Sequence, residues 1–211
     1  MAKSLTLCVL LLVACGKHTA QAPAPATAPA VSAPVLEGAA VLIMPVQGGS
    51  VPSPDSAAHH WPADRAALDT EIAYWLKELS PKTRWFLPEL IDRAVARSPG
   101  LNVRPHELSV GIFQQAQVKR IGDPLFGDIR KLAAVFDAEI AVVPIAAEYV
   151  GRTRETATLQ IATAVIELDA DVRWFGVIAG TEAGVDSQAA VASAAQAFAR
   201  AFAARKKTGE N

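Results

Sequence analysis

The stretch Leu132–Ile145, LAAVFDAEIAVVPI, sets the fold, because the period of its apolar residues changes within it. On its amino side, Leu125, Ile129, Leu132, Ala133 and Phe136 recur at i, i+4, i+7, i+8 and i+11, which is one face of an α-helix. Asp123 and Pro124 stand where such a helix needs a capping side chain and a first-turn residue. On its carboxyl side, within Glu139–Tyr149, the run IAVVPIA is apolar without alternation, the pattern of a strand buried on both faces. A helix feeding directly into a doubly buried strand implies a sheet with helices laid on it.

The rest of the chain extends that unit in both directions. Gly38–Val46, GAAVLIMPV, is a second buried strand, and 47–63, rich in Gly, Pro and Ser, predicts a long loop. Leu68, Ile72, Trp75, Leu76 and Leu79 predict a helix over Ala67–Leu79, with Asp64 near its start and Ser80-Pro81 as its stop. Thr83–Leu87 is a short strand; Pro88 then opens a helix over Glu89–Arg97, and Pro105–Gln117 predicts a further short helix. Beyond Tyr149, Ala157–Asp169 and Val172–Ala179 alternate as half-buried strands joined by a tight turn at Ala170-Asp171. Ser187–Arg205 is an alanine-rich helix with Val191, Ala194, Ala195, Phe198 and Phe202 on one stripe. The expectation is an α/β fold bordering on α+β: a mixed five-stranded sheet, in spatial order second, first, third, fourth, fifth, with helices packed on it. It occupies residues 38–205, and 206–211 form a disordered tail.

The amino end is of a different kind. Met1–Ser4 carries one positive charge, and Leu5–Val13 is apolar except for Thr6. At about ten residues this run is half the length of roughly 20 that a spanning helix needs. It ends in Leu12-Val13-Ala14-Cys15, which resembles the lipobox of bacterial lipoproteins. The resemblance implies that residues 1–14 are an export signal and that the Cys15 thiol carries a diacylglycerol group. It also implies that the mature chain is held on a membrane by its lipid. Gly16 rather than aspartate after the cysteine implies the outer membrane, facing the periplasm. Residues 15–37 alternate alanine with proline and predict a disordered, extended tether at roughly 3 Å per residue, several nanometres in all.

Composition narrows the function classes. The chain is 51% hydrophobic and 19% charged, enough for a packed core. Its net charge is −1; loss of Lys3 with the signal leaves 19 basic against 21 acidic side chains, so no nucleic-acid partner is expected. After Cys15 there is no cysteine, hence neither disulfide nor thiolate chemistry in the domain.

Four features together resemble the TolB amino-terminal-like domain, a fold shared with the curli-secretion lipoprotein family and with outer-membrane lipoprotein activators of peptidoglycan synthases. They are VLIMPV at Val41–Val46, the helix Ala67–Leu79 before Trp85–Leu87, the stretch Leu132–Ile145, and the hairpin ending in Arg173-Trp174-Phe175-Gly176. The resemblance covers residues 39–204 and implies a fold rather than a reaction. The 47–63 loop and the extra helix before Asp123 depart from it, and no pair of long amphipathic hairpins suited to a membrane barrel is present.

No catalytic constellation emerges. His59-His60, near Asp55 and Asp64, have the donor types of a metal site, but adjacent residues seldom ligate one ion and no HExxH-type spacing exists. No metal and no cofactor is therefore expected. His106 is isolated, Asp169 and Asp171 read as turn residues, and no serine lies in a G-x-S-x-G setting. His59, His60 and Trp61 are the candidate partner-binding loop, because Trp61 is a large aromatic in a polar loop. The leading expectation is a non-enzymatic envelope lipoprotein that binds another envelope protein, with its oligomeric state open. The alternatives are a secretion or transport accessory that oligomerises through a sheet edge, and a periplasmic metal-dependent hydrolase using the 47–63 loop.

Overall fold

A computed structural model of the chain describes residues 32–49, 58–60, 62, 64–114, 118–151 and 155–203; the stretch read as an export signal, Cys15, most of the stretch read as a tether, Trp61 and residues 204–211 lie outside these. The strands are β1 (Ala40–Ile43), β2 (Ala58–His60), β3 (Arg84–Phe86), β4 (Ile140–Gly151), β5 (Thr156–Glu167) and β6 (Val172–Gly184). The helices are α1 (Arg65–Leu79), α2 (Pro88–Arg97), α3 (Leu125–Phe136) and α4 (Gln188–Phe202).

The main sheet runs β3-β1-β4-β5-β6, the order expected from the sequence. β1 lies parallel to both β3 and β4, whereas β4, β5 and β6 form an antiparallel meander. Alternation along β1 divides the core. Val41 and Ile43 face Leu68, Ile72 and Leu76 of α1 and Ala194, Ala195 and Phe198 of α4. Leu42 and Met44 face Ile91 of α2 and Ile129, Leu132 and Ala133 of α3. Helices on both faces explain why β1 and β4 read as unbroken apolar runs. The small residues of α4 allow close approach: a Cβ on Gly180 of β6 would lie 2.6 Å from Ser193 Oγ.

Pro144 stands in a central strand, where a residue without an N–H is normally excluded. The β4–β5 register shifts between Pro144 and Ala146, and the chain after β1 takes up the carbonyls there: Gln47 N–H donates to Pro144 O (2.9 Å) and Gly49 N–H to Ile145 O (3.0 Å). A Cβ on Gly49 would meet Ile145 O at 2.7 Å, so the close approach requires glycine.

Four expectations are corrected or sharpened. The 47–63 segment is not all loop: β2 pairs antiparallel with the far end of β4, His59 opposite Val150 and His60 opposite Tyr149. Three residues hold no readable period; the free edge of β4 beyond β1 supplies their template. Pro105–Gln114, the described part of that stretch, is not an α-helix but a series of turns ending in a 3-10 segment, Val110–Gln114. β6 runs to Gly184 rather than Ala179, through a bulge that breaks its alternation. Finally, Leu36, at the end of the stretch assigned to the tether, is 2% exposed, and its N–H donates to Phe202 O (3.2 Å), so ordered packing begins before residue 38.

For α1 and α4 the caps follow the sequence signals: Asp64 accepts from Ala67 N–H (3.0 Å) and Ser187 from Ala190 N–H (3.2 Å). For α3 the cap position is Pro124 rather than the expected Asp123, whose side chain instead accepts from Gly127 N–H (3.0 Å). Between β5 and β6, Ala170 takes a positive φ of 78°, Asp169 accepts from Asp171 N–H, and Asp171 pairs with Arg120 at 2.8 Å, so both aspartates serve the turn.

Candidate functional site

β1 and β3 are adjacent and parallel, yet the chain leaves them toward opposite faces, through α1 and through α2. Such a divergence opens a crevice at the carboxyl ends of the strands, where ligands bind in open α/β sheets. The residues at this crevice come from five separate segments.

Gln47, just past β1, is 1% exposed and uses its whole amide: Nε2 donates to Pro45 O (2.6 Å) and Pro105 O (2.8 Å), and Oε1 accepts from Leu108 N–H (2.8 Å). It thus clamps the 105–108 turn over the end of β1. His106 on that turn contacts Asp92 of α2 through Nε2, at 3.0 and 3.1 Å from the two carboxylate oxygens. Asp69 of α1 accepts from Val46 N–H at 2.9 Å. Burial pushes its carboxyl up from the ordinary 3.8 to about 6, with Asp92 adding to the rise; the Val46 N–H, His106 and Arg65 pull the other way.

Gln47, Asp69 and His106 line three adjoining hollows. One of about 120 Å³ is bounded by Val46, Arg65, Asp69 and His106. It shares Arg65 and His106 with a hollow of about 430 Å³ that reaches Gly49, Ser109 and Gln114. It shares Asp69 with one of about 290 Å³ lined by Tyr74, Leu87 and Pro88. Tyr74 is 54% exposed, its ring set edge-on to Trp75 at 5.2 Å. A fourth hollow, about 440 Å³, lies between the amino ends of α1 and α4, with Asp64, Glu71 and Asp186 on its wall. Opposite His60 in the β2–β4 register, the Tyr149 hydroxyl is buried; burial first, then the charge of Asp186, raises its pKa above 10.0, while a hydrogen bond with the Asp186 backbone pulls it down.

Two solved structures are similar to this one. The LpoB C-terminal domain from Escherichia coli matches 70% of this chain and 85% of its own, at 14% identity and a TM-score of 0.41. A PelC dodecamer from Paraburkholderia phytofirmans matches 83% of this chain and 96% of its own, at 10% identity and a TM-score of 0.39. No protein-family model and no curated protein matches the chain.

Of the residues singled out in the sequence, His59 and His60 fall on β2, while Trp61 and Cys15 lie outside the described residues. Among the described residues, no group of three His, Cys, Asp or Glu side chains is placed to hold a metal ion, and no helix is long and apolar enough to cross a membrane. His106, read as isolated, belongs to the crevice, and Asp69, Asp92, Gln47 and Tyr74 carried no sequence signal for it. Their convergence depends on chain segments 14 to 61 residues apart.

The crevice also has a fixed relation to where Leu36 enters the domain. Leu36 and Ala39 enter beside Phe202, Arg84 and the amino ends of β1 and β3. The crevice opens at the carboxyl ends of the same strands. Chain entry and crevice therefore occupy opposite ends of the sheet.

Proposed function

We propose that this chain is a lipid-anchored protein of the cell envelope, on the outer membrane facing the periplasm, that catalyses no reaction and binds another envelope protein at the β1–β3 crevice. The observation that carries this reading is the crevice itself, built from five segments at the end of the sheet opposite to where Leu36 and Ala39 enter. Two further features suit a protein partner. The polar groups Gln47, Asp69 and Asp92 are already bonded within the chain, which makes the crevice a shaped surface. Tyr74 on its rim is the kind of exposed aromatic that dominates interface energetics.

The test is in-cell photocrosslinking of the full chain from Tyr74 and Ser109, with Lys82 at the opposite end as control. The expected result is one discrete adduct from both crevice positions and none from Lys82. Equal labelling from all three, or no adduct from the crevice, overturns the proposal. So does full rescue of a deletion strain by the domain freed of its tether.

A further inference from the structure

Asp69 stands between two hollows of the crevice. Its Oδ1 accepts from Val46 N–H at 2.9 Å, and among the described residues Oδ2 has no hydrogen-bond partner. On one side of it lies the hollow of about 120 Å³, shared with Arg65 and with His106, which is bonded to Asp92. On the other side lies the hollow of about 290 Å³, and its chemistry is different. Ala73, Tyr74, Leu87 and Pro88 supply apolar surface there, and Asp69 supplies a carboxylate. Glu89, on the same wall, is held by Arg93 at 3.4 Å.

Along α1 the lining residues Asp69, Ala73 and Lys77 recur every four positions, which is one stripe of the helix, so the hollow is a trough running about 12 Å beside α1. An apolar trough with a carboxylate toward one end fits one kind of side chain, a hydrocarbon stem with a cationic tip.

We propose, on the reading of the crevice as a protein-binding site, that this trough takes a lysine side chain of the partner, its ammonium on Asp69 Oδ2 and its methylene stem against Tyr74, Leu87 and Pro88. Charge selects this occupant. Burial raises the Asp69 carboxyl to about 6 even though Arg65 and His106 pull it down, so those two groups do not make up for the water the carboxylate has lost. A further donor on Oδ2 relieves that cost. Lys77, about 12 Å along the helix, is too far from Asp69 to be that donor, and at that distance salt largely screens its charge from a cation bound there. Lysine suits the site better than arginine. Arginine grips a carboxylate through two parallel bonds, and Val46 N–H already occupies one oxygen, whereas an ammonium needs a single acceptor. An acidic side chain in the trough would set like charges together, and a purely apolar one would leave Asp69 covered without a partner.

The test presents the full chain, held in detergent, with a phage library of short random peptides. The retained peptides are expected to share a lysine. Exchange of that lysine for norleucine, which keeps the stem and removes the ammonium, is expected to weaken binding roughly ten-fold or more by fluorescence anisotropy. Asp69→Asn is expected to lose the same factor and to be indifferent to the norleucine exchange, since the two changes remove one contact. The variant keeps an acceptor for Val46 N–H, so its loss of binding comes with an undiminished Tm, which separates a lost contact from a lost fold. Tyr74→Ala, at an exposed position, is expected to weaken every lysine peptide several-fold. Retained peptides that share no lysine, no retained peptide, or lysine peptides that bind Asp69→Asn as tightly as the unaltered chain overturn the proposal. Any of these together with a crosslinked adduct at Tyr74 leaves the crevice a protein site and removes only the lysine.

Discussion

Replacing Asp69 by asparagine should stabilise the domain at neutral pH and do almost nothing at pH 4. Burial raises the Asp69 carboxyl from 3.8 to about 6 in the folded chain. An acid with a raised folded pKa binds its proton more tightly folded than unfolded. Its contribution is therefore fully present below about 4, falls as pH rises, and levels off above about 6, where the group is ionised in both states. A displacement of roughly 2 pH units corresponds to about 3 kcal/mol. Asparagine has the neutral acid's shape and can still accept the Val46 N–H with its side-chain oxygen. Attraction to Arg65 and His106, lost in the variant, offsets part of the gain, so the expected benefit is about 1–3 kcal/mol at pH 7.5. For a domain of this size that is a rise of several degrees in Tm. Urea titrations of both proteins at pH 4, 5, 6 and 7.5 measure the difference, in which all other titrating groups cancel. A variant that is less stable at pH 7.5, or a difference that is flat across this range, would refute the reasoning.

Three further substitutions test the packing that shapes the crevice. Gln47→Leu keeps the size but strips partners from Pro105 O and Leu108 N–H, and should cost about 3 kcal/mol; hydrogen exchange at Leu108 should accelerate well before global unfolding. Gly49→Ala places a Cβ against Ile145 O and should cost about 1–3 kcal/mol by urea denaturation. Leu36→Ala, in a residue the sequence assigned to the tether, should cost about 2–4 kcal/mol, whereas a true tether position would cost nothing measurable.

The period change at Leu132–Ile145 was sufficient to read a helix entering a buried strand, and the apolar run at Val41–Val46 supplied its parallel neighbour. Both were legible because burial on two faces leaves a local compositional mark. β2 was not, because three residues show no period and depend on the edge of β4. The crevice was not legible either. Asp69 sits beside Leu68 on the flank of α1 and looks like any solvated helix residue; only the turn after β1 makes it an acceptor. Asp92 and His106 look unrelated until α2 and the Gln47 clamp bring them within 3.1 Å. Conversely, His59 and His60 stood out by residue type alone, and their place is in a strand ladder.

The account rests most directly on Cys15, since a lipid-anchored envelope protein requires the anchor. Mass spectrometry of the mature protein's amino terminus decides it. The account predicts a chain beginning at Cys15 and bearing the mass of a diacylglyceryl group. A chain that begins elsewhere, or one whose Cys15 is unmodified, would contradict it.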